Sequence, residues 1–537
     1  MKLLRLIRTV APLRPVQIYG RVLFRLARPR PDLSPAPPRR ALAGWTSPVP
    51  RQPTLIGRDD IVLLNVSGSI GSPTCWNDPV RDKLWLYNLH YFDELATPAD
   101  AARQGWQRRL VDRWIAENPI GVGNGWEPYP VSLRIVNWIK WALAGEALSA
   151  GQLDSLAAQV RWLVRRLEWH LLGNHLFANA KALIFAGLFF DGEEGRRWLE
   201  RGLSILKREI PEQVLADGGH FELSPMYHSI IYEDVLDLVN LARAAGVAQT
   251  PPFAGWVETA RRMGDWLAAM THPDGQIAFF NDSAFDIAPE PAEIAAYAVR
   301  LGQVPAQVPR DGIARLEASG YVRLQIGRAV ALLDVARVGP DYMPGHAHAD
   351  TLAFELSVDG RRIVVNGGTS TYAGPARSHE RSTAAHSTVE VDGVDSSETW
   401  GSFRVGRRAR VVALRVEAER EVLTVTAAHD GYHYLPGRPI HRRSWRLDHR
   451  GLTIEDSVSG LARQAIARFH LAPDVAVETD GCSARLAAPG LPVIHWRSSA
   501  PMVVGRSACA QRFGVVTPSS ALTAPVGEDG LRTEMTW

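Results

Sequence analysis

Four histidines fall within one stretch of the chain, residues 345–393, among acids and arginines. They are His346, His348, His379 and His386. Histidine is the side chain whose unperturbed pKa lies near neutral pH, so such a cluster could transfer protons, bind a metal or do both. On a strand, His346 and His348 would point to the same face, because alternate residues do so. Histidines that only hold loops together would give the same pattern.

Two earlier segments are polar or aromatic close to the start of a predicted helix. One contains Asn174, His175 and Asn179. Asn174 stands where a helix N-cap belongs, so capping would explain this residue without a functional role. The other, residues 126–138, brings several aromatic side chains and Arg134 before a helix. Arg134 could hold an acidic group and the aromatic faces could stack on sugar rings, although core packing would also explain them.

A third polar segment, residues 217–228, places Glu222, Tyr227 and His228 in a glycine-containing loop that leads into a helix. Ser224–Pro225 already supplies an ordinary cap and first helical residue, so these three side chains are not needed for capping. A buried tyrosine that has found a hydrogen bond is the alternative explanation for Tyr227.

Hydrophobic periodicity divides the chain into three parts: residues 1–97, a basic segment and linker with short strands; 98–310, all helical; and 311–537, all strands. Short strands are predicted at 60–66 and 84–87. Helices are predicted at 106–116, 131–143, 153–172, 175–190, 194–210, 227–245 and 254–270. Short turns between helices indicate antiparallel neighbours, in a bundle or a ring of hairpins. The strand-rich part predicts an antiparallel sandwich, with a cleft where the two halves meet.

Composition excludes several classes of protein. The 537 residues suffice for two or three domains, and 46% hydrophobic and 22% charged residues are typical of a globular protein. Three widely spaced cysteines form neither a disulfide framework nor a zinc ribbon. A net charge of +3 is too small to indicate a nucleic-acid partner.

The N-terminal 31 residues are basic, and arginines interrupt their apolar runs. No apolar region of the usual signal-peptide length, roughly 7–15 residues, is present. A basic amphipathic helix on a membrane or on the protein's own body is predicted instead. No uncharged apolar stretch of about 18 residues is present, so no transmembrane span is predicted. The default compartment is therefore the cytoplasm, with a periplasmic or membrane-peripheral location left open.

Five motifs occur in order between residues 126 and 392: W-E-P-Y-P-V-S-L-R, N-H-L-F-A-N-A-K-A-L, G-G-H-F-E-L-S-P-M-Y-H, G-H-A-H-A-D, and N-G-G-T-S-T-Y followed by H-S-T. Together they resemble the heparinase II/III-like family of polysaccharide lyases. The resemblance implies an incomplete (α/α) toroid followed by an antiparallel β-sandwich, and cleavage of uronic-acid polysaccharides by β-elimination. By motif position, it implies Asn174, Tyr227 and His346 as catalytic residues.

This chemistry needs the three residue types. The C5 proton of a uronate is weakly acidic, so Asn174, helped by Glu222 if protonated or by an arginine, would neutralise the adjacent carboxylate. Tyrosine suits the acid that protonates the leaving O4, and His346 the base if the two groups lie on opposite faces of the sugar. If both transfers occur on one face, Tyr227 could perform both. The predicted substrate-binding residues are His175, Asn179, Glu222, His228, Arg134, Arg377 and Arg381.

The resemblance also implies a structural zinc in the sandwich. His348 and His386 match its histidine ligands, but Asn366 stands where an acid belongs, and a neutral amide is a poor zinc ligand. If Asp359-Gly360 forms a two-residue hairpin turn, Asn366 would lie ~16 Å from His348 along the strand. The expected cofactor is at most this one Zn²⁺.

Two other kinds of function compete with a lyase. A glycoside hydrolase would need two carboxylates beside the scissile bond, for which Glu222, Glu233 and Asp350 are the candidates. A non-catalytic carbohydrate-binding or exopolysaccharide-assembly protein would bind saccharide without product. A homodimer is compatible with all three, and the polymer could be heparan-like, alginate-like or capsular. A basic cluster would suit an acidic polymer or form a solvated face: Arg377, Arg381, Arg404, Arg407, Arg408 and Arg410.

Overall fold

The computed structural model describes residues 2–306, 310–419 and 421–537. The helices are α1 Lys2–Val10, α2 Pro15–Leu26, α3 Lys83–Tyr91, α4 Ala101–Glu117, α5 Pro128–Leu143, α6 Ala150–Val164, α7 Gly173–Phe189, α8 Gly192–Gln213, α9 Pro225–Ala244, α10 Phe253–Ala269, α11 Pro291–Arg300 and α12 Gly374–Glu380. The strands are β1 Asp60–Leu63, β2 Val66–Ser69, β3 Gly312–Leu316, β4 Tyr321–Ile326, β5 Ala329–Asp334, β6 Phe354–Val358, β7 Arg361–Val365, β8 Val389–Val391, β9 Thr399–Trp400, β10 Arg404–Val405, β11 Val411–Glu419, β12 Val422–His429, β13 Ile440–Asp448, β14 Gly451–Ser459, β15 Ala465–Leu471, β16 Ala476–Asp480, β17 Ser483–Ala487, β18 Ile494–Ser498, β19 Val503–Arg512, β20 Val515–Pro525 and β21 Leu531–Thr536.

Two inner helices, α7 and α9, form the centre of the helical half. Nearly every residue of both helices is buried, because apolar side chains surround them on most faces. Helix α7 packs against α5, α8 and α9, and α9 packs against α10 and α11. Both helices begin at the side of the helical half that faces the strands, and so present their first residues to the cleft.

The second half is a sandwich of two antiparallel sheets. One runs in the order β11-β12-β13-β14-β21-β18-β17-β16, and the other in the order β19-β20-β15-β7-β6-β5-β4-β3, with β8 also paired to β15. Alternating burial along β13 shows the usual inward and outward pattern, and Trp445, Trp496 and Phe469 fill the space between the sheets. The predicted architecture, an incomplete (α/α) toroid followed by an antiparallel β-sandwich, is confirmed.

Several predicted elements are wrong in detail. The strand predicted at 84–87 is helix α3, because the Asp82 carboxylate caps it by accepting from the Leu84 N–H at 2.8 Å. The helix predicted at 153–172 ends at Val164, and an irregular segment leads to Leu172, whose φ is +64°. Helix α11, which was not predicted, follows a Glu290–Pro291 start signal. The predicted domain boundary at 310/311 adjoins residues 307–309, which lie outside the described residues.

The N-terminal helices lie against the protein's own body, one of the two predicted locations. The indole N–H of Trp400 donates to Thr9 Oγ1 at 3.0 Å, and Gln17 Nε2 donates to the Tyr342 carbonyl at 3.1 Å. Phe24 packs on His170 with ring centroids 4.3 Å apart. Helices α1 and α2 therefore contact both halves beside the cleft. None of the helices in the described ranges is long and apolar enough to cross a membrane.

Candidate active site

A cavity of about 1310 Å³ lies where the helical half meets the sandwich. Five of the predicted catalytic and substrate-binding residues line it: Asn174, His175, Glu222, Tyr227 and His346. They come from the start of α7, the loop before α9, the start of α9, and a loop between β5 and β6. Side chains from distant parts of the sequence thus face one space.

Asn174 is the second residue of α7 and not its N-cap, so the capping explanation of this residue is wrong. The residue before the helix, Leu172, and its first residue, Gly173, both have positive φ, at +64° and +54°. A Cβ on Gly173 would come within 2.2 Å of the Met343 methyl carbon and 3.2 Å of a Glu222 carboxyl oxygen. Glycine at this position therefore allows the start of α7 to approach the cavity wall closely.

Tyr227 lies in the first turn of α9, which Ser224 caps by accepting from the Tyr227 N–H at 3.1 Å. Its hydroxyl oxygen is 2.9 Å from that of Tyr372. Burial raises the pKa of Tyr227 well above its ordinary value, and the nearby Tyr372 and Asp282 raise it further. The phenol is therefore protonated at neutral pH and can donate a proton.

His346 lies in the loop before β6 and not on a strand, so the prediction that strand alternation aligns it with His348 is wrong. Its Nδ1 is 2.8 Å from Asp282 Oδ2, and because an ionised carboxylate only accepts, Nδ1 carries the proton. The other ring nitrogen, Nε2, is 3.4 Å from Glu222 Oε2. The imidazole packs on the Tyr227 ring with centroids 3.9 Å apart.

Asp282 holds this arrangement together, and the sequence analysis did not identify it. Its carboxylate bonds to His346, to His348 Nε2 at 2.8 Å, and to both terminal nitrogens of Arg377. Burial alone would raise the pKa of Asp282, but Arg377 and the two histidines hold it well below its ordinary value. The only signal in the sequence was a polar Asn-Asp-Ser triplet at 281–283, directly after two aromatic residues that are buried in the structure, Phe279 and Phe280.

Glu222 faces the His346 Nε2 from the helical half. Among the described residues, neither of its carboxyl oxygens has a hydrogen-bond partner. Burial raises the pKa of Glu222, and the nearby His346 offsets part of this rise. The Asn174 backbone N–H also lowers the pKa, although the contact between this N–H and Glu222 does not have the geometry of a hydrogen bond. A neutral carboxyl here could donate a hydrogen bond to a substrate carboxylate.

His175 lines the cavity, and Asn179 supports it from behind. His175 Nδ1 is 3.1 Å from Glu168 Oε1, and its ring packs on Tyr129 at 4.5 Å. Burial by itself lowers the pKa of His175, but Glu168 raises it above the ordinary value overall. Asn179 is fully buried and donates to the other Glu168 oxygen at 3.0 Å, so it does not reach the cavity as predicted.

Two other predicted substrate-binding residues belong to the core. Arg134 is fully buried; it donates to Gln159 and to two backbone carbonyls, and it stacks on Trp114 at 3.8 Å. His228 is also fully buried, with Nε2 3.0 Å from the Met263 carbonyl. The predicted contacts of Arg134 and His228 with substrate are wrong, because neither residue lines the cavity.

Arg377 and Arg381 are not free to bind substrate either. Arg377 is committed to Asp282, and Arg381 donates to the Ala347 carbonyl at 2.8 and 3.0 Å and to two further carbonyls. Both side chains are fully buried. These arginines hold the His346 loop in place and do not contact a substrate as predicted.

The predicted zinc position has two imidazoles close together. His348 Nδ1 is 3.1 Å from His386 Nε2, and Asn366 Oδ1 accepts from the Ser387 N–H at 3.1 Å. Asn366 thus lies beside His386, and the large separation expected from a simple hairpin is wrong. The Asn366 Nδ2 has no hydrogen-bond partner among the described residues. Within the same ranges, no group of three His, Cys, Asp or Glu side chains is placed to bind a metal ion. Two histidines and a neutral amide are a weak zinc donor set, so zinc stays a prediction.

Comparison with known proteins identifies the family. The model described as "Heparinase II/III N-terminus" matches residues 113–290, and the one described as "Heparinase II/III-like, C-terminal" matches residues 308–537. The chain belongs to the heparinase II/III-like family. Both halves of this family's architecture are therefore present, in the order that the motifs predicted.

Individual relatives within the heparinase II/III-like family are distant. The "Heparin-sulfate lyase" of Pedobacter heparinus is 27% identical over 357 residues, which cover 58% of this chain and 53% of that protein. The chain thus spans about half the length of this curated relative. The crystal structure of heparinase III has a TM-score of 0.68 at 18% identity, covering 85% of this chain and 78% of the other. That of heparan sulfate lyase HepC from Pedobacter heparinus has a TM-score of 0.58 at 20% identity, covering 97% and 87%.

Proposed function

We propose that this chain is a polysaccharide lyase that cleaves a uronic-acid polysaccharide by β-elimination. One observation carries the proposal: a protonated phenol, Tyr227, packs directly on an imidazole, His346, whose Nδ1 is held by Asp282, so that Nε2 is the nitrogen left to accept a proton. β-Elimination needs such a pair, because one group must accept the C5 proton while another protonates the leaving O4. The curated relatives named heparin-sulfate lyases support the same reaction class.

In this mechanism each group has one task. His346 Nε2 takes the C5 proton, and Asp282 stabilises the imidazolium that forms. Tyr227 donates its proton to O4 and is re-protonated through its contact with Tyr372. Asn174, together with the Glu222 carboxyl in its protonated form, holds the substrate carboxylate and stabilises the enolate-like transition state.

The two proton-transfer groups act on the same side of the sugar. With ring centroids only 3.9 Å apart, no sugar ring fits between Tyr227 and His346. An arrangement on opposite faces is therefore disfavoured. Because the pKa of Tyr227 is raised, His346 is the better base, and Tyr227 need not perform both transfers.

A hydrolase fits this geometry less well. Of its candidate carboxylates, Asp350 does not line the cavity; it accepts from the Asn281 N–H at 3.1 Å and packs in the interior. Glu222 lies against His346, and Glu233 is paired with Arg51. Of these three candidates, only Glu222 lines the cavity without an arginine partner, so they do not form the acid and base pair that hydrolysis requires.

The test is the ultraviolet absorbance of the unsaturated uronate product, measured on a panel of uronic-acid polysaccharides. Tyr227→Phe should lower its rate of formation about 10²- to 10⁴-fold. Tyr232→Phe, a buried tyrosine on the same helix that does not line the cavity, is the matched control and should keep the rate. New reducing ends without absorbance would establish hydrolysis instead, and saccharide binding without any product would establish a binding protein.

A further inference from the structure

The charges around the cavity bear on which polymer it accepts, an inference that rests on the proposed lyase function. Among the described residues that line the cavity, carboxylate side chains outnumber lysines and arginines by nine to six. The six cations are Arg21, Arg51, Lys83, Lys140, Lys181 and Arg404. A groove for a densely sulfated chain would be expected to carry an excess of cations.

The two deepest lysines are neutralised by buried acids. Lys181 Nζ is 2.6 Å from Asp237 Oδ2 and also bonds to Asp234. Lys140 bonds to the same Asp237 carboxylate. Asp237 is fully buried, and the two lysines hold its pKa low although burial alone would raise it. Pulling Lys181 toward a sulfate would leave the Asp234 carboxylate without its lysine, and pulling Lys140 would remove one of the two lysines that neutralise Asp237.

The next two cations are paired as well. Arg51 Nη2 lies 2.6 Å from Glu233 Oε2, and Lys83 Nζ lies 3.0 Å from Glu127 Oε1. Of the cavity-lining cations in the described ranges, only Arg21 and Arg404 have no carboxylate within ion-pair distance. Both are exposed. The interior of the cavity therefore offers a sulfate no uncommitted lysine or arginine.

The basic cluster predicted from the sequence does not change this balance. Arg407 stacks on Tyr434, with its guanidinium carbon 3.3 Å from the ring centroid. Arg408 donates to the Asp341 carbonyl at 2.8 Å. Arg404 packs over Trp400 at 4.6 Å, and it alone of the cluster lines the cavity. The cluster mainly stabilises loops of the sandwich.

Aromatic and amide groups are exposed to the cavity beside the proposed catalytic pair. Phe403 is 46% exposed, with its ring centroid 6.0 Å from that of His346 and 5.3 Å from that of Tyr372. Tyr129 and Asn137 line the helical wall. Apolar faces with a few hydrogen-bonding groups suit the rings, hydroxyls and acetamido groups of uncharged sugars.

We propose that the substrate is a uronic-acid polysaccharide without O-linked or N-linked sulfate groups, in which the uronate carboxylate is the main anion of each repeat. One carboxylate per repeat matches the single place where Asn174 and the unpartnered Glu222 carboxyl line the cavity together. Each additional sulfate would have to lose water beside a wall rich in carboxylates, without an arginine fork to replace that water.

Matched polymers test this preference. N-acetylheparosan and its chemically N-sulfated derivative share a glucuronate backbone, as do unsulfated chondroitin and chondroitin sulfate. The expected kcat/KM, from product absorbance, is at least about tenfold higher on the unsulfated member of each pair, since like-charge contacts penalise the other. Equal or faster cleavage of the sulfated members would overturn the proposal.

Binding separates this proposal from the reaction itself. Tyr227→Phe is titrated calorimetrically with the same four polymers, so that affinity is measured without turnover. Tighter binding of an unsulfated polymer supports the inference about the substrate even if no unsaturated product forms. The absence of product would contradict the proposed lyase function alone. Tighter binding of the sulfated members, or binding of none of the four, overturns the inference.

A charge variant adds a graded test. Glu233→Gln frees the charge of Arg51 inside the cavity and should shift the sulfated-to-unsulfated ratio of kcat/KM toward sulfate by about fivefold. Glu258→Gln is the matched control: Glu258 is exposed, pairs with Arg261 on α10 and lies outside the cavity. An unchanged ratio in Glu233→Gln, or an equal change in Glu258→Gln, contradicts the assignment.

Discussion

Replacing Asp282 by asparagine should lower both the stability of the protein and kcat. Comparison with a matched variant should separate these two effects of the carboxylate. The change keeps the shape of the side chain but removes the charge that pairs with Arg377. It also places an amide where a carboxylate accepts the His346 Nδ1 proton. An amide N–H facing Nδ1 would favour the other tautomer, with the proton on Nε2, and the imidazole would then no longer be a base.

The size of both effects follows from the geometry. Breaking a buried ion pair by removing one partner lowers the free energy of unfolding by about 3–5 kcal/mol. A carboxylate that orients a catalytic imidazole contributes up to about 10⁴ in kcat. Because the pKa of folded Asp282 lies below the unfolded value of about 3.9, its stabilisation is complete at neutral pH and is lost as the pH falls below that value.

The chain contains its own control for this variant. Asp456, inside the sandwich and away from the cavity, pairs with Arg443 at 2.7 Å and with His441 Nε2 at 2.8 Å. Its pKa is likewise held low, by Arg443 and His441 against the effect of burial. Asp456→Asn should therefore lose similar stability while keeping the reaction.

The assay combines urea unfolding of both variants with kcat at a temperature where both are folded. We expect comparable falls in stability, together with a fall in kcat of at least about 10²-fold in Asp282→Asn alone. The reasoning about His346 is refuted if Asp282→Asn keeps kcat per folded molecule, or if Asp456→Asn loses as much.

Four further outcomes are expected. Tyr372→Phe removes the hydrogen bond to Tyr227 and should lower kcat about fivefold to tenfold, measured by product absorbance. Glu222→Gln should raise the melting temperature increasingly as the pH rises, because the raised pKa of Glu222 makes its ionisation destabilising above about 4.3; no gain at high pH would contradict this. Asn366→Asp should retain more zinc after dialysis than the unmodified chain, by elemental analysis. Glucuronate polymers, in which the C5 hydrogen and O4 lie on one face, should be cleaved faster than their iduronate epimers.

Prediction from the sequence succeeded where the physical signal is local. Helix α9 was recognised from its apolar spacing and its Ser224–Pro225 start, and both features depend only on neighbours in the chain. The polar residues before α9 stood out because Ser224 and Pro225 already supply the helix start, and those at the start of α7 stood out because a helix is normally apolar there. Motif order then predicted that Asn174, Tyr227 and His346 belong together, and all three line one cavity.

Prediction failed where the partner of a side chain lies far away in the sequence. Arg134 and His228 resemble binding residues by type, yet both point into the core, where carbonyls from other segments satisfy them. Asp282 could not be identified because its importance lies in partners that follow it by 64, 66 and 95 positions. The neighbours of Asp282 in the sequence do not indicate which side chains its carboxylate binds, because those side chains come close only when the chain folds.

The sequence by itself determined the two halves of this protein, since hydrophobic periods of helix and strand are written into adjacent residues. It also determined which residue types were available for proton transfer. Only the tertiary structure decided which of them face the cavity, which nitrogen of His346 binds Asp282, and that the cations in the interior of the cavity are already paired. Those properties depend on distances between segments that are remote in the chain, and packing of the toroid against the sandwich sets those distances.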